Sequence, residues 1–196
     1  MRVLFLTTHL NTGGITSYLL TLSKGLIKKG HHVHIAASGG NREEDFRNLG
    51  ASVLNLDIKT KSELNPKIYL ALRSLKKYTI EQKIDVIHSH TRVTQVMGRL
   101  LQKTTGRAFV STCHGFFKPK FSRRIFPCWG DGVIAISPAV KDHLINDFHV
   151  AKEKVFVVEN GLDFESFPMI DELTKERARQ KQIGRASCRE RVCQYV

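Results

Sequence analysis

The sequence predicts an α/β protein built on a doubly wound, mostly parallel sheet (Rossmann-like), and three observations carry that prediction. Short apolar runs rich in strand formers alternate with longer segments of helical spacing from Val3 to Val158. The first run, Val3 to Thr7, is apolar up to its closing threonine rather than alternating, as for a strand covered on both faces. The residues just after each run are small and polar, which suits the carboxyl ends of parallel strands, where such sheets bind ligands. At 196 residues, with 41% hydrophobic and 25% charged, the chain is ordinary globular material for one sizeable core.

In order, the strand Val3–Thr7 is followed by a helix over Thr16–Lys29, with Ile15, Leu19, Leu22 and Leu26 on one stripe and Gly30 closing it. Val33–Ala37 is a strand, Arg42–Leu49 a helix and Ser52–Leu56 a third strand. A polar loop, Asp57–Leu64, leads to Asn65-Pro66, an N-cap followed by the proline favoured at the first helical position, and that helix runs to Gln82. Asp85–His88 is a strand, Thr91–Lys103 a helix, and Ala108–Thr112 and Gly132–Ile136 are strands. Ser137-Pro138 starts a helix ending near Asp147, and Val155–Val158 is the last strand. Hydrophobic density falls from Phe164, and Asp171–Gln182 is charged, helix-forming and without an apolar face wide enough to pack. Ile183–Val192 resembles the conceptual translation of a sequencing-library adapter, so 183–196 is expected to be a non-native tail, outside fold reasoning.

The formal net charge is +13; the tail carries Arg185, Arg189 and Arg191 against Glu190, a net +2, which leaves +11 for residues 1–182. That charge favours an anionic partner, a phosphate-bearing ligand, a lipid headgroup surface or nucleic acid, without choosing among them, and a solubilising surface is the plainer reading. Outside the tail the cysteines are Cys113 and Cys128, with no close pair of the zinc or redox kind, which suits a reduced cytosolic protein. Val3–Leu6 is too short for a signal-peptide core, and no later run approaches a membrane span, so membrane contact is expected to be peripheral.

At the strand ends stand Thr8-His9 with Gly13-Gly14, Ser38-Gly39-Gly40, His88-Ser89-His90, His114-Gly115, Ser137 and Asn160-Gly161. Gly13-Gly14 fits a tight strand-to-helix turn whose backbone N–H groups approach an anion, and equally a purely structural turn. The Gly-x-Gly-x-x-Gly spacing, a Gly-Lys-Ser/Thr loop and an acidic end to the second strand are all lacking, which disfavours a nicotinamide dehydrogenase or a P-loop enzyme. His88 and His90, two apart, face one side if extended and with His114 could ligate a metal; without a nearby carboxylate or cysteine, no metal is assigned. His114, before Gly115, could donate to a hydroxyl or phosphate oxygen or act as acid or base. Phe116–Trp129 interleaves aromatics with Lys118, Lys120, Arg123 and Arg124, which suits an anionic membrane surface or a single-stranded nucleic acid track. The plainer reading there is a loop whose Phe121, Ile125 and Phe126 pack inward.

Taken together in order, Met1–Leu6, Gly13-Gly14, Asp85–His90, Ser111–Gly115, Val133–Ser137 and Val157–Asp163 resemble the N-terminal half of a GT-B fold, family 4 type retaining glycosyltransferase. The resemblance covers residues 1–167 and implies an acceptor-side domain over 1–165, the start of an interdomain linker over 166–182, and a donor-binding half missing in cis. It implies transfer of a sugar from a nucleotide-sugar, with no bound cofactor, to an envelope polysaccharide or lipid-linked acceptor. His114 would sit beside the transferred sugar as the catalytic residue. Gly13 and Gly14 would approach the donor diphosphate or the acceptor, His90 and Ser137 would line the cleft, and Asn160 and Gly161 would mark the passage between domains. Such an enzyme would be cytoplasmic, peripheral on the inner membrane face and not a nucleic-acid binder, and this chain alone would be inactive. The alternative is a nonenzymatic doubly wound module binding an anion or nucleic acid.

Overall fold

The computed structural model describes residues 1–60, 62–118, 123, 125–161 and 163. The readings made for Lys120, Phe121, Arg124, the 166–182 linker and the 183–196 tail lie outside these residues. The strands are β1 (Arg2–Leu6), β2 (His32–Ala37), β3 (Ser52–Asn55), β4 (Val86–Ser89), β5 (Ala108–Cys113), β6 (Gly132–Ala135) and β7 (Val155–Val157). The helices are α1 (Gly14–Lys28), α2 (Glu43–Asn48), α3 (Pro66–Glu81), α4 (Arg92–Thr105) and α5 (Pro138–Phe148). A 3-10 turn, Lys152–Lys154, leads into β7.

All seven strands are parallel, in the order β3-β2-β1-β4-β5-β6-β7. The doubly wound parallel sheet expected from the sequence is therefore what the chain forms. The chain builds outward from β1 in one direction, then returns and builds outward from β4 in the other. The crossover lies between β1 and β4, where Val3 pairs with Val86 and Leu6 with Ser89. Loops leaving neighbouring strands in opposite directions open a crevice there at the carboxyl end.

The two-residue period of a strand divides β1 between two cores. Leu4 and Leu6 pack with Ile68, Leu75, Met97 and Leu101 of α3 and α4. Val3 and Phe5 pack with Leu19 of α1 and Phe46 of α2. Burying a Leu or Phe side chain of this kind contributes about 1.5–3 kcal/mol, and a polar residue at any of these positions would unseat a helix. A third cluster, Trp129, Val133, Leu144 and Phe148 among its members, seats α5. α4 lies close on the sheet because its Gly98 has no side chain: a Cβ there would stand 2.4 Å from the Phe109 ring and 2.7 Å from Ser89 Oγ.

Helix starts follow their caps. Asn65 Oδ1 accepts from Lys67 N–H at 3.0 Å ahead of Pro66, Thr91 and Thr94 form a reciprocal capping box on α4, and Ser137 Oγ accepts from Val140 N–H at 3.3 Å. α1 starts two residues earlier than its apolar stripe predicts, with Gly13 in the cap position and no side-chain cap. One expectation is corrected: Ile125 and Phe126 do not pack inward but are exposed. Among the described aromatics of this segment, Trp129 and Phe117 pack in the third cluster. Cys113 and Cys128 are free and buried. Among the described residues no helix is long and apolar enough to cross a membrane.

Candidate functional site

The crevice at the crossover holds a cavity of about 500 Å³, whose lining includes Gly14, His90, Arg92, Gln95, His114 and Asn160. Four strand-end residues singled out from the sequence thus meet in one place: Gly14, His90, His114 and Asn160. Gly13, Ser137 and Gly161 each stand one residue from a lining position without lining it, and Ser137 is engaged as the α5 cap. Lys118 is exposed, while Arg123 lies over the Phe117 ring at 4.3 Å.

The loop from β1 into α1 is fastened from the side. Leu10 N–H donates to Gly39 O at 2.8 Å, Arg42 N–H to Leu10 O at 3.0 Å, and Thr12 N–H to Asn41 Oδ1 at 2.8 Å. Thr16 Oγ1 donates to Asn11 O at 2.6 Å. The α1 N-terminus is thereby held at the cavity. Gly13 has extended backbone (φ 167°), and a Cβ on Gly14 would meet nothing within 4 Å. Neither glycine is required by conformation or by packing, so the tight-turn reading does not account for them. Their lack of side chains leaves the uncapped N–H groups of a 15-residue helix open to the cavity.

Opposite stands a column of imidazoles. The His88 and His90 ring centres lie 4.2 Å apart and those of His90 and His114 5.4 Å, with Phe5 edge-on to the first two and Tyr18 edge-on to His114 at 4.9 Å. His88 Nε2 meets Thr112 Oγ1 at 2.7 Å, and His90 Nδ1 meets His114 Nε2 at 3.2 Å. Burial pushes His88 down to about 3 and His114 to about 4, and His90 well below its ordinary value. The column is therefore neutral at physiological pH. Burial raises the Tyr18 phenol, opposed in part by the Thr112 hydroxyl, so it too stays uncharged.

Neutrality defines what His114 can do. One proton lies between His90 Nδ1 and His114 Nε2. If His90 supplies it, His114 carries its own proton on Nδ1 and donates to a ligand oxygen there. If His114 supplies it, Nδ1 is a bare acceptor that suits a ligand hydroxyl. In either case His90 Nε2 is buried without a partner, at a cost of about 1–3 kcal/mol. Among the described residues no group of three His, Cys, Asp or Glu has a metal-holding arrangement.

Arg92, Gln95 and Tyr18 were missed in the sequence. Tyr18 lies one helical turn beyond Gly14 and so shares its face. Arg92 had a readable signal: it opens α4, whose first turn has no acidic residue, and a cation is disfavoured at that end of a helix.

A family model described as Glycosyltransferase Family 4 matches residues 12–166. The chain belongs to glycosyltransferase family 4. This family 4 chain is 25% identical over 167 residues to one of the subunits of human phosphatidylinositol N-acetylglucosaminyltransferase, a match covering 78% of this chain and 34% of that protein. It is 25% identical over 174 residues to an uncharacterised glycosyltransferase of Methanocaldococcus jannaschii, covering 77% and 43%. Among solved structures, a glycosyltransferase from Rickettsia africae superposes with a TM-score of 0.75 at 20% identity, covering 93% of this chain and 49% of that one. Anabaena HepE in complex with UDP-glucose superposes at 0.69 and 18% identity, covering 94% and 50%. The fold is thus that of one half of a GT-B glycosyltransferase, and the chain spans less than half the length of the curated relatives it matches.

Proposed function

We propose that this family 4 chain is the acceptor-side half, residues 1–165, of an enzyme that transfers a sugar from a nucleotide-sugar to an envelope polysaccharide or lipid-linked acceptor with retention of configuration. The observation that carries the reading is the crossover cavity, where the side-chain-free start of α1 faces neutral His114. A helix N-terminus suits the donor diphosphate or an anionic acceptor, and a neutral imidazole beside it suits a sugar hydroxyl. The family match weighs against a nonenzymatic module. UDP-glucose in the HepE complex supports a nucleotide-sugar as donor.

In this reading 166–182 begins the linker to a donor-binding half, and 183–196 is not native. Stabilising the departing diphosphate is the largest catalytic demand, and the groups for it belong to that second half, so the 196-residue chain alone transfers no sugar. The enzyme works in the cytoplasm at the inner membrane face, its Phe116–Trp129 segment against anionic lipid.

The test is to recover the coding sequence beyond Gln182, express the two halves as one chain, and assay release of UDP or GDP from a panel of nucleotide-sugars with lipid-linked acceptors. Acceptor-dependent release, with retention read from the anomeric NMR coupling, is the expected result. Release unchanged by His114→Ala, or transfer by the 196-residue chain alone, would count against the reading.

A further inference from the structure

Arg92 is placed against its own electrostatics. It is the first residue of α4, at the helix end that disfavours cations. Its side chain is only 10% exposed, so its charge is largely desolvated. Yet it is poorly compensated. Nη2 donates to the Phe126 carbonyl at 3.0 Å and reaches Glu63 Oε1 at 3.4 Å, and the Cys128 thiol lies against the guanidinium as a weak partner, while Nε and Nη1 are buried without an oxygen or nitrogen acceptor. A second guanidinium, Arg123, is close enough that the two charges repel, and its Nη1 is also buried and unpartnered. Glu63 is the carboxylate that answers both. Two buried guanidinium nitrogens without acceptors are costly, and a phosphate, the matched bidentate partner of arginine, would remove that cost on binding.

The surroundings narrow the class of ligand. Arg92 lines the crossover cavity, so an anion reaches it from the side of His114. Its two oxygen partners belong to Glu63 and Phe126, whose chain neighbours Leu64 and Ile125 are exposed at 77% and 65%. Phe126 is itself exposed. Exposed apolar side chains thus stand at and beside the two residues that hold the Arg92 guanidinium.

We propose that Arg92, assisted by Arg123, anchors the phosphate of an amphiphilic acceptor whose apolar chain leaves past Leu64, Ile125 and Phe126. The guanidinium turns from Glu63 to the phosphate, and Nε and Nη1 gain the acceptors they lack. This rests on the acceptor-side reading above and supplies the acceptor's chemistry.

The probes are geranyl phosphate, inorganic phosphate and geraniol, titrated calorimetrically into the 196-residue chain. Geranyl phosphate is expected to bind at least about tenfold more tightly than either of the others, because each of those offers only half the recognition. Arg92→Gln removes about tenfold or more of the geranyl phosphate affinity and leaves geraniol unchanged; Arg92→Lys restores part of it. Glu63→Gln, which removes the competing carboxylate, tightens geranyl phosphate and serves should Arg92→Gln fail to fold. Equal affinity for inorganic and geranyl phosphate, or Arg92→Gln and Glu63→Gln both binding like the wild type, would overturn the proposal. Should sugar transfer succeed in the two-half enzyme while the probe fails, the subsite alone falls. Should the probe bind as expected while transfer fails, the anion site stands and the transferase reading falls.

Discussion

Two glycine pairs stand side by side at the carboxyl edge of the sheet, and they are there for opposite reasons. Gly39-Gly40, after β2, is obligatory: Gly39 has φ +69°, and a Cβ on Gly40 would stand 2.2 Å from the Leu10 carbonyl carbon. Its smallness lets the β2–α2 loop press against the β1–α1 loop and hold it by three backbone hydrogen bonds, Leu10 to Gly39, Ser38 to Thr8 and Arg42 to Leu10. Gly13-Gly14, after β1, has ordinary backbone and open space. The first pair is explained by the fold alone. The second is not, and the ligand proposed to approach the start of α1 would explain it.

The contrast can be broken by substitution. Gly40→Ala should cost about 3 kcal/mol or more, because the new methyl meets backbone rather than a side chain that can swing away. A urea midpoint within error of the wild type would remove the structural half of the contrast. Next in size is a pH effect on the wall facing Gly14. His88, His90 and His114 bind protons in the unfolded chain near 6.5 but in the folded chain only well below it, His114 at about 4 and His88 at about 3. Between those limits the unfolded state holds more protons, so stability falls as the pH drops below about 6.5, by at most about 1.4 kcal/mol per pH unit for each histidine. Buried His34, lowered by that burial, adds to the slope. Urea unfolding at pH 7.5 and 5.5 reads the loss, and His114→Gln should flatten it; an identical slope would mean that His114 is not held neutral.

Asn41→Ala tests the fastening itself. It removes the acceptor for Thr12 N–H and should cost about 1 kcal/mol while loosening amide-exchange protection in residues 10–13. Smallest is Gly14→Ala, expected within about 0.5 kcal/mol of the wild type and on the stabilising side, since alanine suits a helix better than glycine. A loss above 1 kcal/mol would show that this glycine, too, is structural. In the two-half enzyme the same change should raise the KM for donor or acceptor.

What the sequence revealed and what it hid divide along the same line. Element order was legible because each signal is local: apolar runs for strands, Asn65-Pro66 and Ser137-Pro138 for helix starts, Gly30 for a stop. That His90, His114, Gly14 and Asn160 would come together was legible because the fold class alone sends every strand end toward one edge, and all four line the cavity there. Ser137 was placed by the same logic, but its hydroxyl is occupied in capping α5, a competition that only coordinates reveal. The need for Gly40 was hidden because the clash is with Leu10, from a different strand–helix unit. For Arg92 a cation at a helix start was readable, but its setting was not. The partners that Nη2 does have, Glu63 and Phe126, lie 29 and 34 residues away along the chain.

The reversal of strand order between β1 and β4 has a consequence for how the molecule holds together. The strands β3-β2-β1 come from one continuous stretch of chain and β4-β5-β6-β7 from another, joined through the register of β1 on β4. The cavity exists only along this seam, with Gly14 contributed from one side and His90, Arg92, His114 and Asn160 from the other. A ligand seated there staples the two stretches together, and its binding energy is added to the cohesion of the whole sheet. Occupancy of the site can therefore be followed without assaying chemistry, as a rise in melting temperature that depends on ligand concentration.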